Sequence, residues 1–431
     1  MLQPEVEMMS RVQLSALQSK RLQNVIERVS HVVPFYQKKF QQTKINPSRF
    51  KGIEQITQLP FTTKSDLRDH YPFGLFAVEM EEVVRLHASS GTKGKPTLVG
   101  YTQRDIENWS EVCARAIVMA SGKMGDRFHN AYGYGLFTGG LGMHYGAEQL
   151  GMATVPASGG NRLRQAMLIE DLKPDGIAGT PSFILSLGEV MIQNNKDPRQ
   201  SSLKYGIFGA EPWTEEMRLA LEEMWNIHAV DIYGLSEVMG PGVAMECWQA
   251  KDGLHVAEDH FFVEVINPVT LQPVREGELG ELVFTTLTKE ALPLLRYRTG
   301  DLASITREPC QCGRTHTRMS RVKGRIDDML IIRGVNVFPS EFEAFVLGYS
   351  ELAPHYQLVV QKEGALDQLI LEVEVTHEFN HQGGEEKKRE LAGEMMVKLS
   401  ATLGITCQVH VGSPGSIPRS EGKAVRVIDD R

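Results

Sequence analysis

From about residue 80 to 240, short apolar runs alternate with helical ones, and this alternation constrains the fold more than any other feature of the chain. VVRLHASS, NAYGYGLF, GMATVPA, DGIAGT, LKYGIFG and HAVDIYG are short and β-rich, and half of them end in Gly or Ser. DIENWSEVCARAIVMA and TEEMRLALEEMW lie among them as helical runs. Strand, loop and helix in succession predict an α/β domain around a largely parallel sheet. Loops that follow such strands are where ligands sit.

The flanks read differently. Over residues 10–40, Leu14, Leu17, Leu22, Val25, Ile26 and Val29 recur at three- and four-residue steps, predicting helix up to an interruption at Pro34. HFFVEVINP, GELGELVFTT and LPLLRYRTGDL predict hairpin strands. Beyond residue 327 strands and helices alternate on a smaller scale, through DMLIIRG, VNVFP, SEFEAFVLG, HYQLVVQ, LILEVEVT and TCQVHVG. EFNHQGGEEKKRE is the most loop-like stretch there. The expected fold is therefore a large N-terminal α/β domain with parallel or mixed sheets, residues 1–326, and a small α+β C-terminal domain, residues 327–431. No Gly/Ser tether separates them, so the join at Gly324–Asp328 reads as a hinge.

Composition excludes several classes. With 42% hydrophobic and 23% charged residues the chain is an ordinary globular protein. No apolar run is long enough for a membrane span, and MLQPEVEMMS does not read as a secretory signal. A net charge of −8 argues against broad nucleic-acid binding, though not against a local basic pocket for a phosphate ligand. Cys113, Cys247, Cys310, Cys312 and Cys407 are too few and odd in number for a disulfide scaffold, so a reducing, cytoplasmic compartment is expected.

Five stretches carry chemistry. Ser89-Ser90-Gly91-Thr92-Lys93-Gly94-Lys95-Pro96-Thr97 packs hydroxyls, glycines and lysines behind a strand, a composition that lets backbone N–H groups approach a phosphate. It is not a Walker A loop, because Pro96 stands where that pattern needs Ser or Thr. Tyr233-Gly234-Leu235-Ser236-Glu237 offers a stacking face and a hard oxygen ligand for Mg²⁺. Thr299-Gly300-Asp301 places a carboxylate that could accept from two ribose hydroxyls. Gly324 to Asp328, followed by Arg333 to Asn336, marks the hinge, and GSIPRSEGK presents Lys423 on a polar loop. Read alone, each is also compatible with a turn or cap.

Their order and spacing carry a resemblance. SSGTKGKPT, FGAEP, YGLSE, RTGD, GRIDD and SEGK resemble the adenylate-forming acyl ligase superfamily. HASSGTKGKPTLVGYT, YGYGLFTGGLG, DIYGLSEVMGPGVAMEC, FTTLTKEALPLLRYRTGDL, DDMLIIRGVNVFPSEFE and GSIPRSEGKAVRV are similar to the phenylacetate–coenzyme A ligase family, over essentially the whole chain. The resemblance implies ATP-dependent activation of a carboxylate to an acyl-adenylate, then transfer to coenzyme A, at a site between a large domain and a small mobile one. It implies that Ser89, Ser90, Gly91, Thr92 and Gly94 cradle phosphates with Lys95 nearby, and that Gly209, Ala210, Glu211 and Pro212 line the adenine side. Asp231, Ile232, Tyr233 and Gly234 would border the nucleotide, Ser236 and Glu237 would face phosphates and Mg²⁺, and Asp301 and Arg325 would hold the ribose. Asp327 would be the hinge, Lys423 the adenylation lysine, and Gly334 a neighbour of the pantetheine path. Lys93 and Asn336 depart from the wider pattern, which has Thr and Arg there.

An aromatic, glycine-rich loop with Tyr132, Tyr134, Phe137, Gly139, Gly140 and Met143, flanked by Ile232 and Pro241, suits a flat aryl acid such as phenylacetate. Several of these residues would serve equally as core, and Met143 could reshape a pocket. Cys247, His255, Cys310 and Cys312 lie in two turn-like stretches at either end of the hairpin region and would suit a closed structural Zn²⁺ site. His316 and His260 are alternative fourth ligands, and unmetallated thiols are the other reading. A homodimer is compatible with the sequence. Two alternatives stand beside the ligase: adenylation of another aryl or short acid, and a nucleotide-binding regulator without turnover, against which Lys423 and Glu237 both argue.

Overall fold

The computed structural model describes residues 1–89, 96–332, 335–363, 366–403, 405–419 and 424–431. Among them runs a nine-stranded mixed sheet. Five strands are parallel, in the spatial order Ala153–Val155, Arg127–Asn130, Gly176–Gly179, Tyr205–Gly209 and His228–Leu235. Gly240–Glu246, Leu254–Val256, Arg318–Met319 and Ile305–Thr306 extend the sheet antiparallel. Gly176–Gly179 and Tyr205–Gly209 are buried at every residue, as strands covered on both faces must be.

The hairpin region forms a second, antiparallel sheet of Phe261–Ile266, Gly280–Thr286, Tyr297–Ala303 and Gly324–Arg325. The N-terminal helix Arg11–Val32 starts at a Ser10–Gln13 capping box, and Pro34 opens the next helix, Pro34–Thr43.

After Gly324–Arg325 the chain leaves these sheets. Leu330–Ile332 pairs with Val335–Val337, and a four-stranded sheet follows in the order Cys407–Gly412, Leu366–Val375, Leu352–Glu363, Val427–Asp429. Phe342, Leu358, Leu371, Met395 and Leu399 belong to a separate core built only from this part of the chain. Among the described residues no helix is long and apolar enough to cross a membrane.

Three local expectations are corrected. The strand expected in NAYGYGLF ends at its first residue: Arg127–Asn130 is the strand, and residues 131–137 are a loop. The glycine-rich loop becomes, from Thr138 on, the helix Thr138–Gln149. Its glycines serve close packing: a Cβ on Gly142 would lie 2.6 Å from the Trp109 ring, and one on Gly146 2.5 Å from Cys113 Cβ. The stretch EFNHQGGEEKKRE lies within the helix His377–Leu403, broken at Gly384 with φ 64°.

Candidate active site

The strand Arg127–Asn130 has Ala153–Val155 on one side and Gly176–Gly179 on the other. Successive crossovers therefore leave it in opposite directions, which opens a crevice beyond the carboxyl ends of the strands. The loops after Asn130, Gly209 and Leu235 all lie at those ends and carry most of the residues named above.

Tyr233, Asp301 and Arg325 meet from three separate strands. The Tyr233 hydroxyl donates to Asp301 Oδ2 at 2.6 Å, and Arg325 Nη1 donates to Asp301 Oδ1 at 2.6 Å. Each carboxylate oxygen keeps a second lone pair, enough for a vicinal diol. Burial pushes the Asp301 carboxyl up, and the Arg325 guanidinium opposes it. The Tyr233 ring stacks on Phe284, centroids 6.0 Å apart. Arg325 also reaches Asp327 at 2.9 Å.

The strands on either side of the glycine-, lysine- and hydroxyl-rich stretch, Arg85–Ala88 and Leu98–Tyr101, pair antiparallel. Ser90, Gly91, Thr92, Lys93, Gly94 and Lys95 lie outside the described residues, as do Gly334 and Lys423. At its base Ser89 donates its N–H to Thr97 O at 3.0 Å, while buried Ser89 Oγ and Thr97 Oγ1 have no partner among the described residues. Asn336 lies on the strand Val335–Val337.

After the strand Tyr205–Gly209 the backbone is tight. A Cβ on Gly209 would stand 2.1 Å from Ile232 O, and Ala210 adopts φ 70°. Glu211 does not turn to the crevice with both oxygens free. Oε1 accepts the Ser182 N–H at 2.8 Å and Oε2 accepts the Ala424 N–H at 3.0 Å, so it links the two parts of the chain. Pro212 beside it is exposed. Asp231 lies beside Arg321, 3.8 Å away, and burial, then Glu246, pushes its carboxyl up to about 7. Its neighbour Ile232 is buried.

Gly234 is required by its turn, because a Cβ there would overlap Gly240 O at 1.8 Å. Ser236 Oγ hydrogen-bonds Thr138 Oγ1 at 3.0 Å. Glu237 is 5% exposed and makes no ion pair with the described residues, a buried carboxylate that suits a hard cation such as Mg²⁺.

In the loop after Asn130, the half-buried Tyr134 ring is fixed through its hydroxyl. Asn130 Nδ2 donates to it at 2.9 Å, His144 Nδ1 lies 3.1 Å away, and His144 Nε2 pairs with Glu148 at 3.0 Å. Burial pushes the Tyr134 phenol up to about 12. Asn130 also donates to Gly140 O at 2.7 Å, drawing the loop back over its strand. Phe137 packs against Gly139, and Gly140 sits too close to Gly133 O, 2.6 Å from its virtual Cβ, to carry a side chain. Met143 is 0% and Tyr132 3% exposed, so both are core in this arrangement. Trp109, which the sequence did not single out, donates to Pro241 O at 3.1 Å, stacks on Tyr101 and abuts Gly142 and Gly240. It backs Gly142, Gly240 and Pro241, and nothing in the sequence distinguishes it from other apolar residues in its amphipathic helix.

Cys247, His255, Cys310 and Cys312 converge, with ligand atoms all within 4.8 Å of one another. Cys247 Sγ and Cys310 Sγ are 3.7 Å apart, and Cys312 Sγ and His255 Nε2 3.5 Å. The edges of a tetrahedron with Zn–S about 2.3 Å and Zn–N about 2.0 Å are roughly 3.8 and 3.5 Å. The donor set and its spacing therefore fit Zn²⁺. His316 is instead 3.2 Å from Val6 O, and His260 pairs with Asp259 at 3.1 Å.

These elements make a two-part α/β chain that carries a carboxylate held by Tyr233 and Arg325, a buried acid at Glu237 and an aromatic, glycine-rich loop. The family model of AMP-binding enzymes matches residues 13–287, and that of the AMP-binding enzyme C-terminal domain matches residues 334–431. A phenylacetate-coenzyme A ligase from Thermus thermophilus is 50% identical, covering 100% of both chains. A solved 2-hydroxyisobutyryl-CoA ligase in its postadenylation state, in complex with R3-HIB-AMP, matches with a TM-score of 0.93 at 30% identity, over 99% of this chain and 92% of that one. The same ligase in its thioesterification state, with 2-HIB-AMP and CoA, matches with a TM-score of 0.74 at 31% identity over the same shares. The chain belongs to the phenylacetate-coenzyme A ligase family of AMP-binding enzymes.

Proposed function

We propose that the protein converts phenylacetate, ATP and coenzyme A into phenylacetyl-CoA, AMP and pyrophosphate at one site in two steps. The observation that carries this reading is the Tyr233–Asp301–Arg325 arrangement, in a chain half identical along its full length to a phenylacetate-coenzyme A ligase. A carboxylate oxygen of the acid attacks the α-phosphate, forming a new P–O bond while pyrophosphate leaves. The coenzyme A sulfur then attacks the acyl carbon and AMP leaves. AMP is a far better leaving group than oxide, which is why the first step is needed.

Both steps bring anions together, so the chain must supply cations and donors. Asp301 holds the ribose hydroxyls, with Arg325 and Tyr233 fixing its two oxygens. The loop from Ser89 to Lys95 holds the phosphates, and the backbone of Gly209, Ala210, Pro212, Asp231, Ile232 and Gly234 borders the adenine. Glu237 would hold Mg²⁺, which supplies charge neutralisation for the departing pyrophosphate, while Ser236 orients beside it through Thr138. Tyr134, Phe137, Gly140 and Pro241 face the aryl ring, with Tyr132, Met143 and Ile232 supporting from the core.

The division 1–326 and 327–431 is supported by the separate C-terminal core. Rotation about Asp327 exchanges Lys423, which bridges carboxylate and α-phosphate, for the surface near Gly334 along which pantetheine enters. The Cys247–His255–Cys310–Cys312 cluster would hold a structural Zn²⁺, since four protein ligands leave no open position. Five cysteines, three of them in the proposed zinc cluster, accord with a reducing compartment. The test is pyrophosphate release over a panel of arylacetic, benzoic and short aliphatic acids, with and without coenzyme A. Phenylacetate should give the highest kcat/KM and consume thiol one for one; preference for another acid, or release without thiol loss, would contradict the reading.

A further inference from the structure

The two parts of the chain meet through hydrogen bonds aimed at backbone groups. Glu343, on the helix Pro339–Leu347 of the small domain, is 3% exposed and accepts the Thr214 N–H at 3.0 Å. Thr214 is the N-cap of the large domain's helix Glu215–Trp225, so a carboxylate from one domain caps a helix of the other. The second oxygen of Glu343 faces Arg426 at 3.4 Å, and the Arg426 guanidinium lies 4.3 Å over the Tyr356 ring. Two residues before Arg426, the Ala424 N–H donates to Glu211 of the large domain at 3.0 Å. Ala424 is the chain neighbour of Lys423.

We propose that Glu343 is a positioning residue for the first half-reaction: together with Glu211 it latches the small domain in the orientation that delivers Lys423, and it is released for the second. This deepens the two-step reading above and rests on it. The arrangement in which these contacts form is nearer to one state of a related ligase than to another. The chain matches a related ligase with a TM-score of 0.93 in the postadenylation state and 0.74 in the thioesterification state, over the same 99% of its length. Hydrogen bonds to Thr214 and Ala424 join residues of different domains, so any rotation between the domains breaks both together. Because both acceptors are carboxylates and both donors are main-chain groups, the latch depends on placement and not on the partner side chains. Leu347 packs against the large-domain core beside it, and His355 pairs with Glu189 at 2.8 Å on the same face, so the pair of latches closes an extended interface.

The experiment separates the half-reactions in the full-length enzyme. Exchange of labelled pyrophosphate into ATP with phenylacetate reads adenylation, and thioester formation from supplied phenylacetyl-adenylate and coenzyme A reads transfer. Glu343→Ala should lower exchange about tenfold and leave transfer within twofold. Glu343→Gln keeps an acceptor for the Thr214 N–H and should recover most of the exchange. A merely structural role would lower both half-reactions in parallel, and that result, or no change in either, would overturn the proposal. If Glu343→Ala does not accumulate as soluble protein, Glu343→Leu, which also lacks an acceptor for the Thr214 N–H, takes its place: a loss confined to exchange supports the latch, and equal losses or none refute it. Failure of the underlying reading is distinguishable, because the unaltered enzyme would then show no phenylacetate-dependent exchange.

Discussion

The Tyr233 hydroxyl and the Asp301 carboxylate, 68 residues apart in the chain, meet at 2.6 Å. That contact orients Asp301 in an otherwise buried setting and leaves its remaining lone pairs to two neighbouring hydroxyls. Asp301→Asn keeps the shape but loses the charge and one acceptor oxygen. Hydrogen bonds to charged groups are worth about 1.5–3 kcal/mol, so KM for ATP should rise roughly 10- to 150-fold. KM for phenylacetate should change far less. Steady-state kinetics with each substrate varied measures both; equal rises would remove the ribose role.

The cysteine cluster predicts metal content. The purified chain should carry about one Zn²⁺ per molecule, and Cys310→Ser should lose it. The cluster's turn also holds the N-terminal segment, through Arg314 to Glu7 and Thr315 to Met9 O at 2.6 Å. Metal loss should therefore lower the thermal midpoint by about 5–10 °C. Elemental analysis with scanning calorimetry checks this, and a metal-free chain of unchanged midpoint would contradict it.

The acyl wall makes a narrower prediction. His144→Ala removes the partner 3.1 Å from the Tyr134 hydroxyl without touching the nucleotide side. A net hydrogen bond of about 1 kcal/mol corresponds to roughly a fivefold rise in KM for phenylacetate, with KM for ATP unmoved. Acid-specific kinetics test this; an effect on ATP alone would displace Tyr134 from the acyl pocket.

Particular residues explain what the sequence could and could not tell. Tyr233, Asp301 and Arg325 sit in short turn-rich motifs at strand ends, each compatible alone with a turn or cap; their order and spacing singled them out, and the fold brings them together. Cys247, His255, Cys310 and Cys312 were legible as one possible ligand set, and the fold brings their donor atoms within 4.8 Å of one another. The helix Thr138–Gln149 was not, because glycine ordinarily marks loops, whereas Gly142 and Gly146 here make room for Trp109 and Cys113. Trp109 and His144 look like ordinary helix residues until their partners are seen. Glu211 was read as lining the adenine side, and only the fold reveals that its carboxylate reaches Ala424.

Lys289 predicts a pH dependence. It is 2% exposed, lies 3.1 Å from the Tyr101 ring centroid, and its Nζ has no hydrogen-bond partner among the described residues. Burial pulls its pKa down to about 7, with Asp105 opposing. The unfolded chain keeps this proton up to about pH 10.4, while the folded chain gives it up above about pH 7. In that window the unfolded state binds more protons, so this group's contribution to stability rises with pH, and below pH 7 its penalty is full. Lys289→Met should therefore gain stability over the unaltered chain most at pH 6 and least at pH 9. Denaturant melts across that range measure the difference; a pH-independent difference would refute the buried neutral amine.

The central claim is that one ammonium group, brought by the small domain, lets two anions react. Lys423→Ala with phenylacetate, ATP and magnesium measures it most directly, by labelled pyrophosphate exchange set against thioester formation from supplied phenylacetyl-adenylate. Exchange should fall at least about 100-fold, about 2.7 kcal/mol of lost electrostatic stabilisation, with thioester formation nearly intact. Parallel loss of both, or exchange that survives the substitution, would contradict it.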